Sequence, residues 1–173
     1  MSILDCLNIG CGGRKFKNAV NIDMTYKKDH VEPDILTHAL ALPFKSETFK
    51  WVLASHIIEH LPKTAHGTAL TEWRRVLIPD GKIMISFPEF DVCLQNYLDN
   101  YQGNKEYWEF TIFGACRWKG DEHKSGITQN YIGELLFNIG FTNLKWNRTD
   151  RDLACLGVIA TKCERLPGRL GEK

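Results

Sequence analysis

The sequence predicts an α/β fold with a mostly parallel sheet covered by helices on both faces. Short apolar runs that are typical of strands alternate with segments of helical periodicity, and this alternation is characteristic of parallel sheets joined by helical crossovers. The last two strand-like runs, at 142–147 and 154–161, are separated by a polar connection. Because that connection is too short to hold a crossover helix, these two strands should pair antiparallel.

The predicted elements follow in chain order. Strands are expected at 3–9, 19–23, 51–55, 81–87, 142–147 and 154–161, and helices at 63–77, 90–101 and 128–139. In the first helix, Leu70, Trp73 and Val76 recur at three-residue steps, which is typical of a helix face packed on a sheet. Asp80–Gly81 is expected to end the turn that leads into the strand at 81–87.

Length and composition limit the number of domains and the classes of partner. A chain of 173 residues fits about one domain, expected at 1–163 and followed by a frayed tail at 164–173. Lys and Arg total 22 against 21 Asp and Glu, which leaves a net charge of +1. This balance provides no general attraction to nucleic acid or to anionic membranes, so we expect neither as a partner.

The cysteines and the N-terminal residues indicate a reducing, cytoplasmic setting. None of the six cysteines forms a Cys-x-x-Cys pair, and several lie in apolar runs, where a free thiol packs as a small hydrophobic group. The N-terminal residues lack a basic segment followed by a long apolar stretch. No run approaches the roughly 18 apolar residues that a membrane span needs.

Two neighbouring patterns near the N-terminus predict a nucleotide site. The apolar run Leu7–Ile9 is followed by Gly10, Gly12 and Gly13, and the next apolar run ends at Asp23. Glycine has no Cβ, so a turn rich in glycine lets backbone N–H groups approach a ligand closely. An aspartate at the end of the second strand can accept hydrogen bonds from both hydroxyls of a ribose. Together the patterns indicate a cofactor that contains a nucleoside.

The spacing of these residues argues against a dinucleotide. A dinucleotide motif has a third glycine and places its acidic residue about 20 residues further on. Here Lys15 stands at the third glycine position, and Asp23 follows Gly10 by 13 residues. The helix between the two strands must therefore be short or missing, which removes the N-terminus that would bind a pyrophosphate.

At these residues the chain resembles the class I S-adenosylmethionine-dependent methyltransferases, whose first motif is a short Gly-x-Gly loop with an acid ending the second strand. The resemblance is to the small, cap-less, type 11-like members and spans roughly residues 4–162. Further segments follow in the order seen in those members: Leu42–Phe44, Phe49–Val52, Ile58–Leu61, Glu72–Lys82 and Gly140–Phe141.

The resemblance implies a single doubly wound, Rossmann-like sheet of seven strands in the order 3-2-1-4-5-7-6, with the last strand antiparallel and no N-terminal helical cap. It implies S-adenosylmethionine as cofactor and S-adenosylhomocysteine as product. Ligands of such sheets lie across the carboxyl ends of the strands where strand order reverses. The implied cofactor-binding residues are Gly10, Cys11, Gly12, Gly13, Asp23, Met24, Ala39, Leu40 and Ser55.

Roles within this set follow from the resemblance. The glycines face the methionine part of the cofactor, Asp23 its ribose and Met24 its adenine, while Ser55 borders the sulfur. Relatives usually carry an acid that receives the adenine amino group, but His38 stands at that place here. The adenine contact is then expected from backbone groups near Ala39 and Leu40, or from Asp34 under a shifted alignment.

Two histidines are candidate general bases. Methyl transfer requires the nucleophile, methyl group and sulfur to be aligned, and a hydroxyl or amine acceptor must also lose a proton, for which neutral histidine suits pH 7. His56 follows the strand at 51–55. His123 lies in the polar insertion 117–126, which could cover the site and contact substrate.

An aromatic group precedes this insertion, and two interpretations of it remain open. It either faces a flat sugar or ring system, or closes the core of a small domain. Its members are Tyr107, Trp108, Phe110, Phe113 and Trp118.

Three functions remain open at this stage. The first is methyl transfer to a hydroxyl or amine of a small molecule or sugar, which rests on association with similar proteins. The second is a non-catalytic subunit that binds S-adenosylmethionine and needs a partner. The third is a zinc hydrolase using His56, Glu59 and His60, which Pro62 disfavours because it interrupts the required helix. No metal site is otherwise expected.

Overall fold

The computed structural model describes residues 4–25, 31–117, 120–148 and 154–164, and within them it contains a seven-stranded sheet of order β3-β2-β1-β4-β5-β7-β6. The strands are β1 (Leu4–Ile9), β2 (Ala19–Asp23), β3 (Ile35–Leu36), β4 (Phe49–Ser55), β5 (Leu77–Pro88), β6 (Phe141–Arg148) and β7 (Cys155–Lys162). The helices are α1 (His66–Val76), α2 (Phe90–Leu98), α3 (Lys105–Phe113) and α4 (Gln129–Ile139). Only β7 runs antiparallel to its neighbours, so the predicted fold class and strand order are confirmed.

The start of β5 differs from the prediction. Leu77 already pairs with Phe49, and the next paired residue is Lys82, opposite Trp51. The chain between them bulges out of the sheet, with Asp80 at a left-handed φ of 59°. Asp80–Gly81 therefore lies in a bulge within β5, and not in a turn that precedes the strand as predicted.

Two elements were not predicted, and some predictions fall outside the described residues. The sequence analysis missed β3, which has only two residues, and α3, whose segment was interpreted as an aromatic group before a loop. Most of the predicted tail, 165–173, lies outside the described part of the chain, as do Trp118 and the middle of the polar connection, 149–153.

The core lies between the central strands and the helices on their two faces. Leu70, Trp73 and Val76 of α1 are fully buried, as their spacing predicts, and the Trp73 indole N–H donates to the Ala39 carbonyl (2.8 Å). This bond ties α1 to the segment that follows β3. All six cysteines are free thiols, and no described helix has the length and apolar character of a membrane span.

A buried amide network replaces the missing crossover helix between β1 and β2. Asn8 and Asn21 lie side by side on these strands and are 4% and 1% exposed. The Asn21 side-chain oxygen accepts from Asn8 Nδ2 (3.0 Å) and from the Phe16 N–H (2.9 Å). The Asn21 Nδ2 donates to the carbonyls of Phe16 (3.1 Å) and Ala19 (2.9 Å).

This network explains how a short loop can join two parallel strands. Such strands usually need a crossover of about a dozen residues or more. Here the connection is shorter, because β1 ends at Ile9 and β2 already begins at Ala19. Buried backbone groups must find hydrogen-bond partners, and Asn21 supplies them for the turn at Phe16. The loop is thereby fixed at the carboxyl end of β1.

We expect Asn21→Ala to destabilise the protein by about 2–4 kcal/mol, because it leaves buried partners of one amide unsatisfied. The matched control is Asn147→Ala, an exposed asparagine on β6, which should change the free energy of unfolding by less than about 0.5 kcal/mol. Urea unfolding of both variants measures the difference. Equal, small effects would show that the loop does not depend on this amide.

Candidate active site

A cavity of about 560 Å³ opens at the carboxyl ends of β1, β2 and β4. The strand order reverses between β1 and β4, and ligands of open α/β sheets bind at this position. Of the predicted cofactor-binding residues, those that line the cavity are Gly10, Gly12, Gly13, Asp23, Met24, Ala39 and Leu40. The other lining residues are Ile9, Ile22, Thr25, Thr37, His38, His56, Ile57, His60, Leu61, Pro62, Arg117, Gly120, Asp121 and Lys124.

The first glycine of the loop is required by its surroundings. Gly10 has a φ of +67°, and a Cβ at this position would lie 1.8 Å from Ile57 Cδ1. Any other residue would therefore combine left-handed strain with a clash. Gly12 also has a left-handed φ, of +51°. The two glycines let the loop run close to the segment after β4, with its backbone along the cavity.

The Asp23 carboxylate is held at the end of β2 by the glycine loop. Its Oδ2 accepts the Gly12 N–H (2.9 Å), and its Oδ1 accepts the Thr25 N–H (3.1 Å). An ionised carboxylate has about four acceptor positions, so both oxygens can accept further bonds from a ligand in the cavity. Two adjacent hydroxyls, as on a ribose, match this capacity.

Two of the predicted cofactor-binding residues do not line the cavity. The Cys11 N–H donates to the Ile22 carbonyl (3.0 Å), and its side chain is buried, so this residue supports the loop from behind. The Ser55 hydroxyl is paired with the Ser86 hydroxyl (2.8 Å) across β4 and β5.

Asp34, the alternative adenine contact, is bonded to Asn21 and Lys15 instead. Its carboxylate accepts the Asn21 backbone N–H (2.8 Å) and forms an ion pair with Lys15. These hydrogen bonds, led by the one from Lys15, lower the pKa of Asp34 to about 2. Asp34 does not line the cavity; its position instead stabilises the glycine loop together with Asn21.

His38 lies at the cavity wall, and its ring orientation assigns a tautomer. Its Nδ1 accepts the Leu40 N–H (3.2 Å), so in the neutral ring Nε2 carries the proton and is a donor. The Ala39 carbonyl is already bonded by Trp73. Of the residues near the expected adenine position, His38 therefore offers a side-chain donor where relatives offer an acceptor.

His56 lines the cavity, but both of its ring nitrogens are engaged. Nδ1 lies 3.1 Å from Glu59 Oε1, and Nε2 lies 3.6 Å from Cys155 Sγ. Hydrogen bonding to Cys155 and then to Glu59 raises the pKa of His56 to about 10. At neutral pH the ring is therefore already protonated, and it lacks the free lone pair that a general base needs.

His123 lies one layer behind the cavity wall. Its Nδ1 is bonded to the Thr111 carbonyl (3.0 Å), and its ring meets the edge of the His60 ring, with centroids 4.9 Å apart. Burial lowers the pKa of His123. His60 lines the cavity, whereas His123 does not. The sequence analysis names His60 only as part of the zinc-hydrolase alternative.

The insertion after α3 forms the wall opposite the glycine loop. Arg117, Asp121 and Lys124 line the cavity, and Arg117 Nε lies 3.0 Å from Asp121 Oδ2. The Lys124 N–H donates to the Glu59 carbonyl (2.8 Å), which fastens the insertion to the turn after β4. The insertion and the turn after β4 therefore meet at Glu59.

The aromatic residues that precede this insertion do not line the cavity. Trp108 of α3 is buried and stacks edge-on against Tyr107 (4.9 Å between centroids), while Phe110 and Phe113 are 54% and 62% exposed. Of the two interpretations of this group, the structure supports core closure for Trp108, and none of the four members that the structure describes contributes to the cavity wall.

The sequence of the cofactor half of this site matches a known family. Residues 7–85 match the family described as methyltransferase domain, and this range includes the glycine loop and Asp23. Over this range the chain is similar to the S-adenosylmethionine-dependent methyltransferases. S-adenosylmethionine is the cofactor of this family, and the cradle formed by Gly10, Gly12 and Asp23 fits a nucleoside with an attached amino acid. No curated protein sequence matches the chain.

Solved structures share the fold of this chain at low sequence identity. A S-adenosylmethionine-dependent methyltransferase of Methanosarcina mazei is 16% identical, with 94% of each chain covered and a TM-score of 0.63. The 1,6-didemethyltoxoflavin N1-methyltransferase of Burkholderia thailandensis, solved with that compound and S-adenosylhomocysteine, is 17% identical (94% and 72% covered, TM-score 0.61). A Haloferax volcanii protein solved with the Trm112 methyltransferase activator is 11% identical (95% and 85% covered, TM-score 0.63).

The zinc-hydrolase alternative does not fit the backbone between His56 and His60. It requires His56 and His60 on one face of a helix, but His56 has a left-handed φ of 54°, and only the 3₁₀ turn Ile58–His60 follows. The two imidazoles therefore do not form the pair that this class of hydrolase uses.

We expect Gly10→Ala to destabilise the protein by about 2–4 kcal/mol, through left-handed strain and overlap with Ile57, and to reduce cofactor binding. Gly67→Ala is the matched control, since Gly67 lies in α1 with open space around it. There alanine should be neutral or stabilise by up to about 1 kcal/mol. Thermal unfolding and calorimetric titration with S-adenosylhomocysteine measure both effects, and equal behaviour of the two variants would contradict the prediction.

The acid stability of the domain should depend on Asp34. Because its folded pKa of about 2 lies below the ordinary value of 3.8, its contribution is fully present above about pH 4 and is lost as pH falls through about 2. Urea unfolding from pH 5 to pH 2 should show a steeper loss for the wild type than for Asp34→Asn. Parallel curves for the two proteins would show that this carboxylate is not stabilised in the fold.

Proposed function

We propose that this protein is an enzyme that methylates a hydroxyl or amine of a small molecule, with a sugar as the leading acceptor class. The observation that carries the proposal is the cavity itself. One wall is the glycine and Asp23 cradle, and the other is a polar wall formed by His60 and the insertion after α3. A volume of about 560 Å³ lies within the range of small-molecule sites.

In this proposal S-adenosylmethionine binds in the half of the cavity that the glycine loop and Asp23 line. The backbone of Gly10–Gly13 faces the methionine part, Asp23 accepts the ribose hydroxyls, and Met24 lies against the adenine. His38 donates its Nε2–H to an adenine ring nitrogen, which replaces the acid of relatives. The bound cofactor supplies an electrophilic methyl group on its sulfonium, and the chain has to orient it and exclude water.

The acceptor half lies between the turn after β4 and the insertion. Arg117, Asp121 and Lys124 give this wall charges of both signs, which suits a small polar acceptor. His60 stands next to the acceptor, and His123 acts from behind as a positioning residue. Support for a small molecule also comes from the Burkholderia thailandensis relative, which was solved with a small ring compound, although this is analogy.

A second candidate function is a cofactor-binding subunit that needs a protein partner. Exposed apolar side chains on α2 and α3 favour it, namely Leu98, Phe110 and Phe113, which are 63%, 54% and 62% exposed. Contiguous apolar surface marks many protein interfaces, and the Haloferax volcanii relative was solved with an activator. Cofactor binding without turnover on any acceptor would favour this candidate over the first.

We expect Asp23→Ala to weaken S-adenosylmethionine binding by at least about 10-fold, because each charge-assisted hydrogen bond that it removes is worth about 1.5–3 kcal/mol. Asp5→Ala is the control, since Asp5 lies near the opposite end of β1 and pairs only with solvent-exposed Lys50 among the contacts described. Calorimetric titration of both variants is the measurement. Retained affinity in Asp23→Ala would mean that the ribose is held elsewhere.

The acceptor class is tested by transfer of a radiolabelled methyl group to three pools: small polar metabolites with sugars and amines, total RNA, and total protein. The proposal predicts labelling of the first pool, and loss of that labelling in Asp23→Ala. Labelling confined to RNA or protein would contradict it.

A further inference from the structure

Three metal-ligating side chains converge beside the cavity from distant parts of the sequence. One ligand atom each from Glu59, His60 and His123 lies within 4.8 Å of the others. Glu59 and His60 belong to the 3₁₀ turn after β4, whereas His123 belongs to the insertion after α3. We propose that these three residues bind one divalent transition-metal ion of the zinc class.

Each imidazole has one ring nitrogen bonded to a backbone carbonyl. His60 Nδ1 lies 3.1 Å from the Glu122 carbonyl oxygen, and His123 Nδ1 lies 3.0 Å from the Thr111 carbonyl oxygen. A carbonyl only accepts, so each Nδ1 carries the proton and each Nε2 has a free lone pair. Metal-bound histidines almost always show this arrangement, because the bond to the carbonyl fixes the tautomer and the ring plane.

The carboxylate of Glu59 provides a second, independent observation in favour of a bound cation. Glu59 is 2% exposed, and its Oε1 is bonded to His56 Nδ1 (3.1 Å). Within the described residues, its Oε2 is buried and has no hydrogen-bond partner. Leaving a buried charged oxygen unpaired is costly, and a cation held with the two imidazoles would remove that cost.

The donor set selects the class of metal. Two imidazole nitrogens and one carboxylate oxygen occur in catalytic zinc sites and in non-haem iron(II) sites. Ligand atoms of a tetrahedral zinc ion lie roughly 3.3–3.6 Å apart, given bonds of about 2.0–2.2 Å. The observed spread of 4.8 Å therefore needs a contraction of about 1 Å, which small side-chain rotations can supply.

Three protein ligands would leave the fourth position of a tetrahedral ion free, and of these ligands His60 lines the cavity. Three protein ligands with a free fourth position distinguish catalytic from structural zinc sites. A consequence that rests on the proposed function is that an acceptor oxygen would bind there. A hydroxyl bound to the ion releases its proton to solvent more readily, which favours a hydroxyl over an amine as acceptor.

The test uses the full chain without an affinity tag, stripped with a chelator and titrated with Zn²⁺ and with Co²⁺. We expect one ion per chain and visible absorption bands for bound Co²⁺. Glu59→Gln and His123→Ala should each weaken binding by more than about 100-fold, since even outer partners of metal ligands contribute about 10–100-fold. Glu109→Gln, which makes the same change at an exposed glutamate of α3 outside the cluster, should bind the metal as the wild type does.

Two outcomes would overturn the site: no stoichiometric ion in the wild type, or wild-type metal affinity in both Glu59→Gln and His123→Ala. Circular dichroism of each variant verifies that it is folded, and the isosteric Glu59→Gln keeps the test valid if His123→Ala does not fold. S-adenosylmethionine binding is measured on the same samples. Cofactor binding without metal binding would overturn the metal site alone, whereas metal binding without cofactor binding would support the site and count against the proposed function.

Discussion

The buried amide of Asn21 is the contact on which the cofactor side of the cavity depends. It satisfies the backbone at Phe16 and the side chain of Asn8, so the loop between β1 and β2 needs no helix. That short loop places Gly12 against Asp23 and Gly10 against Ile57. One buried polar group thus sets both the position of the carboxylate and the path of the backbone along the cavity.

The opposite wall is organised around Glu59. Its carbonyl receives the Lys124 N–H and fastens the insertion after α3, while one carboxylate oxygen holds His56. The other oxygen is buried without a hydrogen-bond partner within the described structure, and the Glu59 carboxylate lies close to the imidazoles of His60 and His123. Glu59 therefore has two roles: its backbone carbonyl fastens the insertion to the turn after β4, and its carboxylate contributes a ligand to the proposed metal site.

Much of the fold and half of the site follow from local sequence patterns. Apolar runs and helical spacing predict most elements, and the glycines with Asp23 predict the cofactor half. The two-residue β3 is too short for any pattern, and the apolar residues of α3 are spread around the helix rather than along one face. The pairing of His60 with His123 joins positions more than 60 residues apart, and no spacing rule contains that contact.

The most direct test of the central claim is a crystal structure of the protein with S-adenosylhomocysteine. The account predicts the ribose hydroxyls within hydrogen-bond distance of the Asp23 carboxylate, the adenine beside Met24 and His38, and the sulfur facing the segment between His56 and His60. A ligand bound outside the cavity, or one in it that does not contact Asp23, would contradict the account.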